Sequence, residues 1–163
     1  MIALKKILVA TDFSEPADAA LAYGRAFART FGATLYLLHV VDDMYLRLGG
    51  DAYAAVLPDL QEDVEREARQ RLARIAADDE LSSLTVEMVI TSGATAQAIV
   101  DYAEKENVQL IVVGTHGRSG VAHFFMGSVA ERVVRTAHCP VLTVRRSERD
   151  FVTPDAAAAS AHA

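Results

Sequence analysis

The residues best suited to chemistry lie in one glycine-rich segment. Gly114 and Gly117 follow an apolar run, and Gly127-Ser128 stands just before a helical pattern. Glycine lets successive backbone amides converge on an anion, and the start of a helix adds N–H groups and a positive dipole end. The Ser128 hydroxyl is a further donor. The segment therefore predicts a phosphate-binding loop that consists mostly of main chain.

Two common nucleotide fingerprints do not occur in this sequence. There is no G-x-x-x-x-G-K-[ST], so the loop is not a P-loop, and no G-x-G-x-x-G follows the first strand, which counts against a dinucleotide fold. The spacing is instead G-x2-G-x9-G-[ST]. Arg118 is the nearest cation and a candidate for phosphate contact, while His116 could reach a phosphate or point to water. Gly114 and Gly117 could also serve a tight turn alone.

The elements that must hold this loop are short apolar runs that alternate with longer helical patterns. Such alternation indicates βαβ crossovers and a doubly wound parallel sheet that is covered on both faces. The predicted strands are Ile7–Ala10, Leu35–Val41, Leu84–Ile90, Val108–Val113 and Val141–Val144. The predicted helices cover Ala17–Phe31, Leu60–Ile75, Ala96–Ala103 and Gly127–Ala137.

Two strands are expected at the edges of this sheet. Leu84–Ile90 alternates apolar and polar residues, as an edge strand with one wetter face does, and the last strand, Val141–Val144, is expected at an edge although it is apolar on both faces. The ligand cleft of a doubly wound sheet lies at the carboxyl ends of the strands, where the strand order reverses. Function is therefore expected just after the strands, and Ser14 is expected to be the N-cap of the first helix. The four segments are residues 11–14, 40–43, 91–95 and 114–127.

Composition narrows the class of protein. The 163 residues are 52% hydrophobic and carry a formal net charge of −6, which fits one globular domain and gives no basic face for nucleic acid. Cys139 is the only cysteine, so neither a disulfide framework nor a cysteine-based metal cluster is expected. No run is long enough for a signal peptide or membrane helix, so we expect a cytoplasmic protein. Residues 1–149 should form the domain, and the Ala-rich residues 150–163 a disordered tail.

Four segments in the same order resemble the universal stress protein family, and the resemblance covers roughly residues 5–146. The glycine pattern is similar to the ATP-binding signature of that family. The other segments are the opening Lys6–Ser14, the second strand Leu37–Val41, and Met126–Ala130 together with the closing Cys139–Val144. The resemblance implies a Rossmann-like sheet of five parallel strands in the order 3-2-1-4-5, of the adenine nucleotide α-hydrolase type.

The resemblance also implies the site. Asp12 and the backbone of Val40 would contact the adenine and ribose, Val113 and Gly114 would flank the nucleoside, and the later glycines would surround the phosphates. Ala10 departs from the pattern, since ATP-binding members can carry proline there. No metal site is expected within the protein. The predicted nucleotide-binding residues are Ala10, Thr11, Asp12, Val40, Val113, Gly114, His116, Gly117, Arg118, Gly127, Ser128 and Val129.

A nucleotide-responsive homodimer is the function that these features favour. ATP with Mg²⁺ is the expected ligand, although ADP and AMP would fit the same features. The resemblance implies dimerisation through the last strand, Val141, Leu142, Thr143 and Val144, whose open edge invites pairing. No residue near the loop reads as a catalytic base or nucleophile, so we expect no dedicated enzyme. The alternatives are a slow ATPase or a phosphoryl- or nucleotidyl-transfer enzyme, and a receiver-like switch, which would need an acidic residue after the third strand.

Overall fold

The computed structural model describes residues 2–41, 57–115 and 126–145. Within these ranges five parallel strands form one sheet in the order β3-β2-β1-β4-β5, so the predicted α/β fold and strand order are confirmed. The division at residue 149 stays a prediction, since residues 146–163 lie outside the described ranges. The strands are β1 (Lys6–Ala10), β2 (Thr34–Val41), β3 (Val86–Ser92), β4 (Leu110–Gly114) and β5 (Val141–Val144).

Helices cover both faces of the sheet. The described ranges contain α1 (Glu15–Phe31), α2 (Leu57–Ala76), α3 (Thr95–Lys105) and α4 (Ser128–Thr136), and a short 3-10 helix at Asp79–Leu81. Pro16 lies in the first turn of α1, where its missing N–H costs nothing. Gly32 ends α1 with a φ of +62°, a conformation that glycine adopts without strain.

Alternation along the strands divides the core into two clusters. Ile7 and Val9 of β1 face one cluster, where they pack with Leu72 of α2 and with residues of α1. Leu8 faces the other cluster together with Val133 of α4 and residues of α3. Because β1 is buried on both faces, it appears in the sequence as a continuous apolar run.

Two strands, β3 and β4, both begin and end later in the chain than the sequence predicts. β3 extends to Ser92 because its pairing with β2 continues to the Val41–Ser92 pair, so hydrogen bonding keeps polar residues in the strand. Val108 is buried but precedes β4, since its N–H donates to the Ala103 carbonyl oxygen at 2.8 Å and closes the end of α3.

The strand order reverses between β1 and β4. These strands pair directly, with Val9 opposite Val112, while β2 lies on the other side of β1. At such a reversal the connections leave in opposite directions and open a crevice at the carboxyl ends. β3 and β5 form the two edges of the sheet, as predicted for both.

Candidate ligand site at the carboxyl edge of the sheet

The turn after β1 carries the first group of predicted site residues. Thr11 is buried, and its N–H donates to the Leu38 carbonyl oxygen at 2.9 Å, which extends the pairing of β1 with β2. The Asp12 Oδ1 accepts hydrogen bonds from the Ser14 N–H at 3.0 Å and from the Ser14 hydroxyl. Ser14 is the N-cap residue of α1, as expected, but its side chain bonds Asp12 and does not cap the helix.

Phe13 gives this turn an unusual backbone conformation. Its φ is +62°, in the left-handed region that bulky side chains rarely adopt. One neighbour of its ring is the ring of His39, with 4.4 Å between centroids. Another is the guanidinium carbon of Arg71, 4.2 Å from the centroid. The turn is therefore fixed by contacts from β2 and α2 as well as by its own hydrogen bonds.

The predicted nucleotide-binding residues include neither Arg71 nor Phe13, although Phe13 lies within the predicted segment 11–14. A signal for Arg71 was present, since it stands three residues after Ala68 and seven after Val64, on the apolar side of α2. An arginine on that side needs a partner for its guanidinium, and an aromatic face is one. No comparable signal marks Phe13, because glycine and asparagine are the usual left-handed residues.

At the end of β4, Gly114 lies against the first turn of α1. A Cβ on Gly114 would fall 2.8 Å from the Pro16 carbonyl oxygen and 3.0 Å from the Pro16 Cβ. Val113 before it is buried in the core cluster of α3 and α4. Gly114 thus has a packing reason to be glycine, namely the close approach of β4 to α1.

The two ends of the glycine-rich segment meet. The Thr115 N–H donates to the Val144 carbonyl oxygen at 2.8 Å, and the Gly127 N–H donates to the Thr115 carbonyl oxygen at 2.6 Å. The start of α4 is therefore tied to the end of β4. The predicted residues His116, Gly117 and Arg118 lie outside the described residues.

The N-terminus of α4 can receive an anion. Gly127 is its N-cap residue, no side chain of the described residues caps it, and the first intrahelical bond runs from the Glu131 N–H to the Gly127 carbonyl oxygen at 3.0 Å. The N–H groups of Ser128, Val129 and Ala130 come before that bond, where helices leave donors for a cap or a ligand. The side chains of Ser128 and Val129 are exposed.

The described site residues share one edge of the sheet. Ala10, Thr11 and Asp12 stand at the end of β1, Val40 near the end of β2, and Val113 and Gly114 at the end of β4. Gly127, Ser128 and Val129 join them through the bond of Gly127 to Thr115. The structure thus brings these predicted residues to the point of strand reversal, while their contact with a nucleotide stays a prediction.

A second concave surface lies at the end of β3, beside α3. This shallow groove of about 360 Å³ is separate from the predicted residues and contains the 91–94 turn, Asp101 and Lys105. Tyr102 also lines it, and burial, helped by the charge of Glu106, raises the pKa of Tyr102 to about 12. The sequence pointed to residues 91–95 as one of four segments after strands, but the groove shares no residue with the site at β1 and β4.

The described residues contain neither a membrane-spanning helix nor a candidate metal cluster. No helix there is long and apolar enough to cross a membrane. Nor do those residues contain a group of three or more His, Cys, Asp or Glu side chains that could hold a metal ion.

A doubly wound parallel sheet with a helix N-terminus held at its strand reversal defines a Rossmann-like α/β protein of the kind that takes ligands at the carboxyl edge. Comparison with known proteins narrows the class further. The model of the universal stress protein family matches residues 3–145, and the chain belongs to that family.

Individual relatives agree with this assignment. Universal stress protein MJ0531 of Methanocaldococcus jannaschii is 33% identical over 147 residues, which are 90% of this chain and 85% of the relative. The solved structure of the protein MJ0577, from the same organism, has a TM-score of 0.79 and 32% identity, covering 91% of this chain and 100% of its own. A universal stress protein solved in complex with cAMP has a TM-score of 0.60 and 26% identity, covering 90% of this chain and 100% of its own.

Proposed function

We propose that this protein binds an adenosine nucleotide, ATP with Mg²⁺, at the carboxyl ends of β1 and β4. The observation that carries the proposal is the hydrogen bond from Gly127 to Thr115, which holds the start of α4 at the end of β4. Gly114 in turn touches Pro16 in the first turn of α1, the helix that follows the turn with Asp12. The phosphate donors of α4 and the carboxylate of Asp12 therefore lie at the same edge of the sheet.

The groups at this crevice suit the parts of an adenosine nucleotide. The N–H groups of Ser128 and Val129, with the dipole of α4, suit the phosphates, since such donors hold anions without a lysine. Asp12 and the backbone of Val40 suit the ribose and adenine. Mg²⁺ would arrive on the phosphates, as it usually does, because it needs few protein ligands there. The relative solved with cAMP, itself an adenosine nucleotide, supports this ligand class.

The first test is direct detection of the ligand. Purified protein is denatured and the released small molecules are analysed, and the nucleotide-free protein is then titrated by calorimetry with ATP, ADP and AMP in the presence of Mg²⁺. We expect ATP to bind most tightly, because its longer phosphate chain can use more of the donors at α4. Failure of all three nucleotides to bind would refute the proposal.

A charge change at Ser128 tests the phosphate end of the site. Ser128→Asp places a carboxylate among the first N–H groups of α4, where it suits the helix dipole but repels phosphate. We expect ATP affinity to fall about tenfold or more, equivalent to ~1.4 kcal/mol, while adenosine affinity changes little. Ser128→Asn has a similar size and no charge and is the matched control. Equal ATP affinity in the two variants would count against phosphate binding at α4.

We further propose that the protein is a binding module and not a dedicated enzyme, and that it acts in the cytoplasm. In support, the Asp12 Oδ1 already accepts hydrogen bonds from the Ser14 N–H and hydroxyl, so this oxygen is engaged within the turn. The rival is a slow ATPase or a phosphoryl- or nucleotidyl-transfer enzyme with the same site. Loss of ATP, followed by chromatography of all adenine-containing products, distinguishes them, and turnover of about 1 per second or faster would favour the enzyme.

The proposed module is a homodimer that forms through β5. Ile111 and Thr115 donate to the carbonyl oxygens of Pro140, just before β5, and Val144, at its end, at 3.0 and 2.8 Å, so the even-numbered residues of this segment face β4. By the alternation of a strand, the backbone groups of Val141 and Thr143 point to the open edge. A second copy related by a twofold axis could pair there and continue the sheet.

A further inference from the structure

The contacts on Phe13 suggest a role in setting the position of Asp12. Phe13 is a bulky residue at φ +62°, and left-handed backbone at such a residue persists only where its surroundings hold it. Its own N–H donates to the Thr11 hydroxyl oxygen at 3.0 Å. That one local hydrogen bond is a modest restraint on a strained conformation, so the ring contacts matter.

The ring of Phe13 lies against two groups from distant parts of the chain. The His39 ring belongs to β2, and its Nδ1 is 2.7 Å from the Thr11 carbonyl oxygen, so this nitrogen carries a proton and donates to the turn. The Arg71 guanidinium belongs to α2 and lies 4.2 Å from the ring centroid, within the range of a cation–π interaction. We call Phe13, His39 and Arg71 the ring clamp.

The ring clamp stands next to Asp12. Rotation of Phe13 out of the left-handed region would redirect the chain on both sides of it and separate Asp12 from Ser14, whose N–H and hydroxyl both bond the Asp12 Oδ1. Arg71 itself belongs to α2, not to the β1–α1 turn, and is half-buried beside the ring. Its contact with the ring of Phe13 connects it to the turn that carries Asp12.

We propose that Arg71 is a positioning residue for the nucleotide site: through the ring of Phe13 it holds the carboxylate of Asp12 in the orientation that binds the nucleoside. This inference rests on the proposed function for its affinity effects. Its structural part concerns the β1–α1 turn alone and can be tested without a ligand.

The ligand-free test is amide hydrogen exchange, measured by NMR, in Arg71→Gln. The Ser14 N–H bonds Asp12 directly, so its exchange rate reports how well Asp12 is held. Loss of the cation–π contact predicts about 2- to 5-fold faster exchange at Phe13 and Ser14, with no change at the buried β1 amides. Arg74→Gln is the matched control, because Arg74 lies one turn away on α2 and is exposed. Equal exchange at Ser14 in the two variants would overturn the inference.

The ligand-bound test is a double-mutant cycle with ATP. Arg71→Gln alone should weaken ATP binding about 2- to 5-fold. In an Asp12→Ala background the same change should have little further effect, because the side chain that it positions is gone. Additive losses would assign Arg71 a merely structural role and overturn the inference. Absence of ATP binding by the wild type would refute the proposed function instead, and the exchange result would still decide the structural part.

Phe13→Gly separates the ring from the backbone conformation. Glycine adopts a positive φ without strain, so this variant keeps the turn accessible but removes the surface that His39 and Arg71 contact. We expect faster exchange at Ser14 and weaker ATP binding than in Arg71→Gln, since both ring contacts are lost. Wild-type behaviour of Phe13→Gly would show that the ring is not needed, and would overturn the proposal.

Discussion

Gly114 and Pro16 lie closer together than any side chain on residue 114 would allow. A Cβ on Gly114 would fall 2.8 Å from the Pro16 carbonyl oxygen, which is backbone and has no rotamer by which to move away. The contact joins the end of β4 to the first turn of α1, directly beside the crevice at the strand reversal. The first glycine of the signature therefore serves the packing of the site, whatever it also does for a ligand.

Gly114→Ala should for this reason destabilise the protein, by about 1–3 kcal/mol as overpacked substitutions do. The sign of this change in stability is informative. At a position where alanine fits, replacing glycine by alanine usually stabilises a protein by about 0.4–1 kcal/mol, because it lowers the conformational entropy of the unfolded chain. We expect a lower midpoint of urea unfolding with an unchanged slope, together with weaker ATP binding as α1 shifts. A midpoint at or above that of the wild type would contradict the close contact.

Gly24 is a second glycine that packing requires. It lies inside α1, where a glycine costs about 1 kcal/mol relative to alanine, yet a Cβ there would overlap the Val9 Cγ2 and lie 3.4 Å from the Leu35 Cδ1. Gly24→Ala should destabilise by about 1–3 kcal/mol. Val9→Ala makes room, so the double variant should be more stable than the sum of the two single changes predicts. Additive losses in urea unfolding would disprove the contact.

The pKa of Tyr102 predicts a pH dependence of stability. Burial raises this pKa from 10.0 to about 12, so above pH 10 the unfolded state loses the proton before the folded state does. The unfolded state then binds fewer protons, and stability falls as pH rises from 10 toward 12. Tyr102→Phe should remove this contribution to the loss of stability between pH 10 and 12, and leave stability at pH 8 nearly unchanged. Parallel alkaline losses of urea midpoint in both proteins would argue against the shift.

The β5 edge makes a prediction about assembly. Thr143→Pro deletes an N–H that points away from β4, and a proline is tolerated on the open side of an edge strand. By symmetry a dimer would lose two hydrogen bonds of about 0.5–1.5 kcal/mol each. We therefore expect the dissociation constant of the dimer to rise roughly tenfold. Thr143→Val keeps the N–H and is the control, and both are compared by analytical ultracentrifugation. A dimer that Thr143→Pro leaves intact, or a monomeric wild type, would rule out pairing through β5.

Much of the fold was predictable from local pattern. Continuous apolar runs mark strands that are buried on both faces, and β1 and β4 have that burial. The alternating pattern after Leu84 marks an edge strand, and β3 is an edge. The ends of strands were less predictable, because pairing with β2 retains the polar Ser92 in β3 and a helix-closing bond removes Val108 from β4.

The candidate site, too, was predictable from the sequence only in part. Glycine spacing predicted a loop between a strand and the start of α4, and Gly127 is the N-cap residue there. The spacing could not reveal the packing of Gly114 on Pro16, since these residues are 98 positions apart in the chain. Nor could it reveal the clamp on Phe13, which joins residues of β2 and α2 to the β1–α1 turn.

By itself the sequence determined the strands, the helices, the family and the segments in which a ligand site should lie, because periodicity and glycine spacing are properties of neighbouring residues. Only the tertiary structure decided which of those segments meet and what holds Asp12 in place. Contacts such as Gly114 with Pro16 and Arg71 with Phe13 exist only once the crossovers have folded and brought distant residues into van der Waals range, and no local pattern encodes that distance.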